Sequence, residues 1–361
     1  MVASSLLLAL VPLAAAGPLG ACKAPTQPQQ PQQPQQTCTA PRGNITIHQP
    51  GLYPENADFD PKRCVAYIGH LYESVISVWD PAENKILEVI ELPDISHIPA
   101  FHVSGVQVDV KHDKLSISAN AGAAFDTSGV DISGTNFLVQ YDLQKREVEW
   151  KRNLTEISQG VYGGFQDIEH DAEGNSFVIG TFPSSIIKVS ADNSTAEPWY
   201  VDVGKNTTVH GYTGIAAFNE GRNILVSDGE RGQVVRFDTS ADKGEPVVVT
   251  ITNGNGTEPI GADLDGAILP SIYEQKVFLV SDNTLGTIVL RSEDNWKTAE
   301  KLGVVPNRLG SVEGFAVATV QIVDRIYAVT EFFLDNTPGR SLNRTDFPFY
   351  DITDDINELL A

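Results

Sequence analysis

The stretch GYTGIAAFNEGRNILVSDGERGQVVRFD, Gly211 to Asp238, predicts three short antiparallel strands joined by two turns. Its β-prone runs are Ile215 to Phe218, Asn223 to Ser227 and Gln233 to Phe237. The Gly- and Asp-containing segments between these runs have the composition of hairpin turns. Alternation of apolar and polar residues between such turns is typical of strands that bury one face.

The same order of strand, turn, strand, turn and strand recurs along the chain. The six units are Leu52 to Pro81 with a fourth strand at Lys85 to Leu92, Gly105 to Leu143, Gly163 to Ala191, Gly211 to Asp238, Gly261 to Ser292, and Val312 to Asp335. An insertion rich in Gly, Ala and Ser, Asn120 to Thr135, interrupts the second unit. Repeats of roughly 45–60 residues with about four strands each are typical of propeller blades. We therefore expect an all-β fold, a six-bladed β-propeller with four-stranded antiparallel blades around a central channel; seven blades or a mixed β fold are the alternatives.

Each blade covers its faces only with its neighbours, so the repeats must close into a ring. Closure usually joins the two chain ends in one sheet, and Ile45-Thr46-Ile47 can supply a strand beside Phe347 to Ile352. Helix signals are scarce, and the clearest is a short C-terminal segment at Asp355 to Leu360.

The beginning of the chain has a different composition from the repeats. Residues 1–16 form an apolar run that ends in Ala14-Ala15-Ala16, which predicts a secretory signal peptide cut near Ala16. Residues 17–43 contain the segment TQPQQPQQPQQT, which predicts an extended or disordered linker. The propeller is expected to occupy residues 44–361, and no later segment is apolar and long enough to span a bilayer.

A net charge of −22 and a pI of about 4.6 make nucleic acid and membrane surfaces poor partners. Export is also favoured by six Asn-X-Ser/Thr glycosylation sequons, at Asn44, Asn153, Asn193, Asn206, Asn255 and Asn343. In an oxidising compartment the three cysteines favour one disulfide. Cys38 with Cys64 is the preferred pair, because it pins the linker to the first strands; Cys22 with Cys38 is the alternative. We expect a protein of the secretory pathway or the extracellular space.

In a propeller, the same position of each blade meets around the channel. Aligning the starts of the units gives Glu55, Gln107, Gln166-Asp167, Thr213, Asp263 with Asp265, and Glu313. Carboxylates that converge on one axis repel each other unless a cation or shared protons compensate. The pattern therefore predicts either a Ca²⁺ site or an acid–base cluster. The alternative is that some of these acids cap turns.

Three segments, LYPENADFD, QDIEHDAEGNSFVIGT and Asp265-Gly266, resemble blade starts of the gluconolactonase and senescence-marker propellers. That family holds a divalent metal with a Glu, two Asn and an Asp, and the resemblance implies metal roles for Glu55 and Asp265. This chain departs from the pattern where it has Gln166-Asp167 and Tyr212-Thr213-Gly214 in place of the short amides. The departure puts metal-dependent lactone hydrolysis in doubt.

A broader resemblance covers nearly all of residues 44–353. The run GLYPENADFDPKRCVAYIGHLYESVISVWDP, the signal peptide and Gly314-Phe315-Ala316 resemble a fungal group of secreted propellers. That group includes trichothecene-cluster accessory proteins and hetero-Diels-Alderases of tropolonic sesquiterpenoid pathways. The resemblance implies secondary metabolism and, for the pericyclases, addition of a tropolone-derived quinone methide to a humulene-type alkene.

Such a cycloaddition needs apolar partners held together and donors on the carbonyl that gains electron density, and it requires no cofactor. Candidate walls are Phe101, Phe165, Tyr212, Phe315 and Phe332, and candidate donors are His102, Gln107, Thr213 and His210. Glu55 or Asp167 could assist water loss from a hydroxymethyl precursor. Metal-dependent lactonase and non-catalytic accessory protein are the alternatives. Motifs of serine hydrolases, zinc proteases and nucleotide-binding enzymes are absent from the sequence.

Overall fold

A computed structural model describes residues 37–253 and 258–361. The expected signal peptide, most of the expected linker, Cys22 and the sequon at Asn255 lie outside the described residues. Within the described part of the chain, no helix is both long enough and apolar enough to cross a membrane.

The described strands form six sheets, which confirms the six predicted units. Blade 6 takes its outer strand from the start of the chain, β1 (Ile45–His48). Blade 1 contains β2 (Pro54–Asp60), β3 (Val65–His70), β4 (Val75–Asp80) and β5 (Lys85–Glu91). Blade 2 contains β6 (Phe101–Asp109), β7 (Lys114–Ala121), β8 (Phe137–Asp142) and β9 (Glu147–Asn153). Blade 3 contains β10 (Gly163–His170), β11 (Ser176–Phe182), β12 (Ser185–Val189) and β13 (Ala196–Val201).

The second half of the chain repeats this arrangement. Blade 4 contains β14 (Tyr212–Phe218), β15 (Asn223–Asp228), β16 (Gln233–Asp238) and β17 (Val247–Val248). Blade 5 contains β18 (Thr250–Ile251), β19 (Leu264–Ile268), β20 (Val277–Asp282), β21 (Gly286–Arg291) and β22 (Thr298–Pro306). Blade 6 is completed by β23 (Phe315–Ile322), β24 (Arg325–Glu331) and β25 (Asp346–Asp351). The two-residue β18 runs parallel to β22, so blade 5 has a fifth strand beyond the predicted four.

Helices are short in the described residues. They are α1 (Ala123–Asp126), α2 (Thr155–Ser158) and α3 (Thr353–Leu360), with 3-10 turns at Ser271–Tyr273, Gly310–Val312 and Phe333–Asn336. The C-terminal α3 confirms the one helix that the sequence predicts. Helix α1 lies in the insertion of blade 2.

The ring closes through the strand that the sequence predicts. β1 pairs antiparallel with β25, with Ile45 opposite Phe349 and Ile47 opposite Phe347. Both isoleucines are buried in an apolar cluster that joins blade 6 to blade 1. The innermost strands β2, β6, β10, β14, β19 and β23 contact one another in cyclic order around the hub.

Each innermost strand contains a β-bulge in its first half. The bulges enclose Glu55-Asn56, Ser104, Gln166, Thr213, Asp265-Gly266 and Val317. A bulge bends the strand and redirects its side chains. Backbones of adjacent blades also approach closely here, since a Cβ added at Gly105 would lie 2.2 Å from the Gln166 carbonyl oxygen. A Cβ at Gly214 would lie 2.6 Å from the Ala267 nitrogen.

The Cys38–Cys64 disulfide is present, which confirms the preferred pairing. Cys64 lies in the turn between β2 and β3, and the bond closes a sequence separation of 26 residues. A cross-link of this span restricts the unfolded chain, because fewer unfolded conformations remain available.

We expect Cys38→Ser to lower the free energy of unfolding by about 3 kcal/mol, from the loop length that the disulfide closes. Urea unfolding followed by circular dichroism measures the change. Cys22→Ser is the matched control and should unfold at the wild-type midpoint. Equal midpoints for Cys38→Ser and the wild type would contradict a stabilising cross-link.

Candidate functional site

Three carboxyl groups from different blades meet near the amino-terminal ends of the innermost strands. Glu55 lies in the bulge of β2, Asp265 lies in β19, and Glu331 ends the second strand of blade 6. Glu331 is fully buried, and within the described part of the chain its two carboxyl oxygens and Oε2 of Glu55 have no hydrogen-bond partner. Burial, followed by the proximity of Glu331 and Asp167, raises the pKa of Glu55 well above its ordinary value.

Burial also raises the pKa values of the neighbouring carboxyl groups of Glu331 and Asp265. Burial is the main reason that the pKa of Glu331 is raised well above its ordinary value. Burial and then the charges of Glu55 and Asp263 raise the pKa of Asp265 well above its ordinary value. Removing a carboxylate from water disfavours its charged form, and a second carboxylate nearby adds to the effect. Burial and mutual proximity therefore disfavour the charged forms of these three groups.

Three further carboxyls bridge adjacent blades farther along the hub. The backbone N–H of Val108 donates to Asp58 Oδ2 at 2.8 Å, which joins blade 2 to blade 1. The N–H groups of Ile215 and Ala217 in blade 4 donate to Asp167 Oδ2 at 3.2 Å and Glu169 Oε2 at 3.0 Å in blade 3. These bonds satisfy inner-edge N–H groups of β6 and β14 that have no further strand to pair with.

Burial brings the pKa values of these three carboxyl groups close to neutral pH. It raises the pKa of Asp58 to about 7, the pKa of Asp167 to about 7 and the pKa of Glu169 to about 8. Hydrogen bonds from backbone N–H groups act in the opposite direction, because they stabilise the ionised form. Asp167 also accepts a hydrogen bond from Asn56 Nδ2 at 3.2 Å. Asp167 therefore links the Glu55 cluster to the rest of the hub.

A cavity of about 550 Å³ occupies the hub and contains residues from all six innermost strands. It extends to the turns that follow the carboxyl ends of these strands, where Pro61, Val110, Leu269 and Val323 line it. Its volume falls within the range of small-molecule sites, roughly 300–1,000 Å³.

The cavity has two chemically different walls. Blades 1 to 3 contribute all the carboxyl groups of the lining, with the polar side chains Asn56, Asp58, Gln107, Asp167 and Glu169, beside the apolar residues Ala57, Phe59, Pro61 and Val110. Blades 4 and 5 contribute apolar residues together with Ser271: Ile215, Ala216, Ala217, Ala267, Ile268, Leu269 and Pro270. Blade 6 supplies both kinds, including Val320 and Gln321. A ligand with one polar side and one apolar side would match this division.

The structure brings part of the sequence-predicted hub together. Gln107 and Asp167 line the cavity, and Glu55 lies beside Asp167 and Asp265. Thr213 is buried, and its hydroxyl lies 2.9 Å from the Ser227 hydroxyl, so it does not line the cavity. Glu313 is exposed before β23 and pairs with Arg340, so its proposed place in the hub is wrong.

Most of the aromatic residues predicted as cavity walls pack elsewhere. Phe165, Tyr212 and Phe332 are buried in the apolar core, where Tyr212 stacks on Tyr200 with ring centroids 5.5 Å apart. Phe101 and Phe315 are half-buried against Phe137 and Phe333. His102 is buried against Tyr72, whereas His210 is exposed beside Phe182. The lining of the cavity includes none of the seven predicted substrate-binding residues.

Reasoning from the sequence missed Asp58, Glu169 and Glu331. A usable signal was present for the first two, because Asp58 and Glu169 each lie two or three residues after the bulge of their own strand. Glu331 belongs to a second pattern, in which second strands end in a polar residue after an apolar run. His70, Asp228, Asp282 and Glu331 end the second strands of their blades, and Asn120 comes one residue before the end of β7.

The hub departs at Gln166 from the ligand set of the metal-dependent lactonases, and the metal roles of Glu55 and Asp265 stay a prediction. Gln166 Nε2 donates to the Thr213 carbonyl oxygen at 2.6 Å, so this amide is already engaged. Glu55 and Asp265 remain as the matching carboxylates. Among residues 37–253 and 258–361, no three His, Cys, Asp or Glu side chains are grouped as a metal site would require.

The predicted glycosylation positions differ in accessibility. Asn44, Asn206 and Asn343 are exposed, whereas Asn153 and Asn193 are half-buried. Arg152 Nε donates to Asn193 Oδ1 at 2.6 Å, and Asn153 Nδ2 donates to Glu156 Oε1 at 3.1 Å. Glycosylation at each of these positions stays a prediction.

Six antiparallel blades around an acid-lined hub define this molecule as a six-bladed β-propeller. The chain belongs to the Mal s 1 allergenic protein-like family, which it matches over residues 34–305. It is 31% identical to trichothecene biosynthesis protein 14 of Trichoderma arundinaceum, over 89% of this chain and 91% of that protein. It is 30% identical to core trichothecene cluster protein 14 of Fusarium sporotrichioides, over 89% of this chain and 87% of the relative.

Solved structures share the fold. The Malassezia sympodialis allergen Mala s 1 superposes with a TM-score of 0.74 at 22% identity, over 86% of this chain and 96% of the allergen. A gluconolactonase from Xanthomonas campestris superposes with a TM-score of 0.52 at 13% identity, over 85% of this chain and 89% of the enzyme. The resemblance to the trichothecene-cluster group of fungal propellers is therefore confirmed, and the gluconolactonase shares the fold.

Proposed function

We propose that this chain is a tailoring enzyme of a fungal secondary-metabolite pathway that binds an apolar small-molecule substrate in its hub. The observation that carries the proposal is the cavity of about 550 Å³ with a polar, proton-holding wall and an apolar wall. The two trichothecene-cluster relatives, which align over most of the chain, support a role in secondary metabolism.

The reaction that we propose is a hetero-Diels–Alder coupling between a tropolone-derived quinone methide and a humulene-type alkene. The oxygen and the exocyclic carbon of the quinone methide each form a bond to one alkene carbon, so no proton or electron is exchanged. Such a reaction depends on holding two partners in a near-attack pose. The alkene would pack on Ala217, Ile268 and Leu269, while the carbonyl faces the polar wall.

Gln107 and Asp167 have the roles closest to the reacting atoms. Gln107 lines the cavity and would donate an amide N–H to the carbonyl oxygen that gains electron density. Asp167, protonated because burial raises its pKa to about 7, would protonate the hydroxyl of a hydroxymethyl precursor. The carbon–oxygen bond then breaks, water leaves, and the ring hydroxyl returns a proton to Asp167. The nearby charge of Asp58 also raises the pKa of Asp167.

We expect Gln107→Leu to slow adduct formation about 100- to 1,000-fold, the range lost with one donor to a developing oxyanion. The assay incubates purified protein with a hydroxymethyl tropolone precursor and humulenol, and measures adduct yield and stereochemistry by chromatography. Gln144→Leu, an exposed position in the same blade, is the control and should retain wild-type yield. Wild-type yield from Gln107→Leu would remove Gln107 from the site.

Two competing functions, a metal-dependent lactonase and a non-catalytic binding propeller, predict different experimental results. A metal-dependent lactonase would hydrolyse aliphatic lactones and lose this activity in EDTA, which would displace the proposal. A non-catalytic accessory or binding propeller would leave the adduct yield at the uncatalysed level. We propose, in addition, that the protein is exported and needs no cofactor; the disulfide is compatible with export.

A further inference from the structure

The hub cavity, we infer, selects neutral amphiphilic ligands and rejects carboxylates, with the apolar part of the ligand on blades 4 and 5. The inference depends on the proposed function for the location of the site, and it is independent of the reaction. It names a ligand class that either a tailoring enzyme or a binding protein could use.

The charge of the lining excludes anions. Three carboxyl groups, of Asp58, Asp167 and Glu169, line the cavity, and none of its described lining residues is Lys, Arg or His. A ligand carboxylate would lose its hydration in this cavity without gaining a cationic partner. It would also lie near groups that carry negative charge whenever they ionise, and like charges in an interface cost several kcal/mol.

The carboxyl oxygens of the wall are already in use as acceptors. Asp58 Oδ1 and Oδ2 accept N–H groups at 2.8 Å from Phe59 and Val108. Glu169 Oε1 accepts the N–H of His170 at 2.8 Å, and its Oε2 accepts that of Ala217 at 3.0 Å. Because the bonds from Val108 and Ala217 join adjacent blades, the carboxyls are held in place and are not free to wrap around a cation. A hydroxyl or carbonyl that meets the Gln107 amide suits this wall better than an ammonium group.

The partly exposed residues of the cavity lining are also divided into a polar group and an apolar group. The half-buried polar lining residues include Asn56, Gln107 and Gln321, whereas Ala217, Ile268 and Leu269 are the half-buried apolar residues of blades 4 and 5. The lining therefore fixes one orientation for an amphiphile. Pro61, Val110, Leu269 and Val323 form an apolar rim of the cavity at the carboxyl ends of the innermost strands, and we infer that the ligand enters there. This rim is opposite to the end that contains Glu55 and Asp265.

Three probes with one carbon skeleton test the inference: farnesol, farnesoic acid and farnesylamine. We expect calorimetry at pH 7 to show farnesol binding with farnesoate about 100-fold weaker, corresponding to about 2.8 kcal/mol at 1.4 kcal/mol per factor of ten. Farnesylamine should also bind more weakly than farnesol. Equal affinity for alcohol and acid, or tighter binding of the amine, would overturn the inference.

Matched variants locate the selectivity in the cavity. Leu269→Lys adds a cation to the apolar wall and should recover about tenfold in farnesoate affinity, the scale of one favourable charge pair. Leu269→Met is the control, and it should keep the preference for farnesol. Gln107→Leu should weaken farnesol binding while leaving the hydrocarbon farnesene unchanged. An unchanged preference in Leu269→Lys would place the probes outside the hub and overturn the inference, even if adduct formation is observed.

Discussion

Replacing Ile47 by Asp should remove most of the stability of the propeller, about 4–6 kcal/mol, by combining lost apolar burial with an unpaired buried charge. Ile47 is 1% exposed and lies opposite Phe347 in the strand pair that closes the ring. Its cluster joins blade 6 to blade 1, so the damage acts on the closure of the whole ring. Total stabilities of domains are roughly 5–15 kcal/mol, so little would remain.

Thr46→Asp is the matched control for Ile47→Asp, because Thr46 projects from the other face of β1 and is half-buried. Its cost should be well below that of the Ile47 variant. Urea unfolding at pH 6, followed by tryptophan fluorescence and circular dichroism, measures both. Equal midpoints for the two variants would show that the isoleucine contacts of β1 are not what holds the ring closed.

The protein should be most stable in mildly acidic solution and lose several kcal/mol between about pH 5 and pH 8. Folding raises the pKa of Asp58 and Asp167 to about 7 and that of Glu169 to about 8, from ordinary values near 4. For a carboxyl with a raised pKa, the stabilisation is complete below the unfolded pKa and is lost as the pH rises through the folded pKa. Glu55, Asp265 and Glu331, whose pKa values burial also raises well above their ordinary values, contribute to the loss in the same direction.

Below pH 4 a second set of acids reverses the trend. Hydrogen bonds to Ser194 lower the pKa of Asp192 to about 2, and a bond from Arg340 lowers the pKa of Glu313. Their contributions are present above the unfolded pKa and disappear as the solution becomes more acidic. Both acids are exposed, so these contributions are small and screened by salt.

Thermal unfolding measured from pH 4 to pH 9 at constant ionic strength tests the expected decline. Glu169→Gln is the informative variant, because its amide oxygen still accepts the Ala217 N–H while its charge is gone. Its melting temperature should fall less steeply between pH 6 and pH 8. A wild-type melting temperature that is constant or rises over this interval would contradict protonated carboxyls in the hub. Repeating the series with EDTA and with Ca²⁺ shows whether a bound cation sets the profile.

Sequence reasoning located the blades well because apolar alternation and turn residues act locally. The three strands predicted in Gly211 to Asp238 are β14, β15 and β16, each a residue or a few longer. The pairing of Ile45 to Ile47 with the last blade also followed from pattern alone. What the pattern did not reveal is the parallel β18, a two-residue strand with little apolar periodicity.

The hub was harder to predict because of the bulges. Alignment by motif chose Gln107 and Glu313, whereas the residues equivalent to Thr213 are Ser104 and Val317. An error of three or four residues along a strand moves a side chain from one end of the channel to the other. Gln107 nevertheless lines the cavity, at a level different from the one that its alignment assumed.

The aromatic residues show a second limit of pattern reasoning. Phe165, Tyr212 and Phe332 lie at blade starts, yet apolar burial between blades is strong enough to draw their rings into the core. A one-dimensional pattern gives the position of a residue along a strand. It does not tell which neighbouring blade the ring will meet.

The near-contact of main chains at Gly105 and Gly214 sets the bore of the channel by peptide-to-peptide spacing. The side chains then determine the chemistry of the channel surface and not its width. A propeller that keeps small residues at Gly105 and Gly214 can therefore exchange the side chains that line the channel, and so bind a different ligand, without a change in the packing of its blades. Replacing either glycine by a larger residue should instead force the neighbouring blades apart and change the width of the channel.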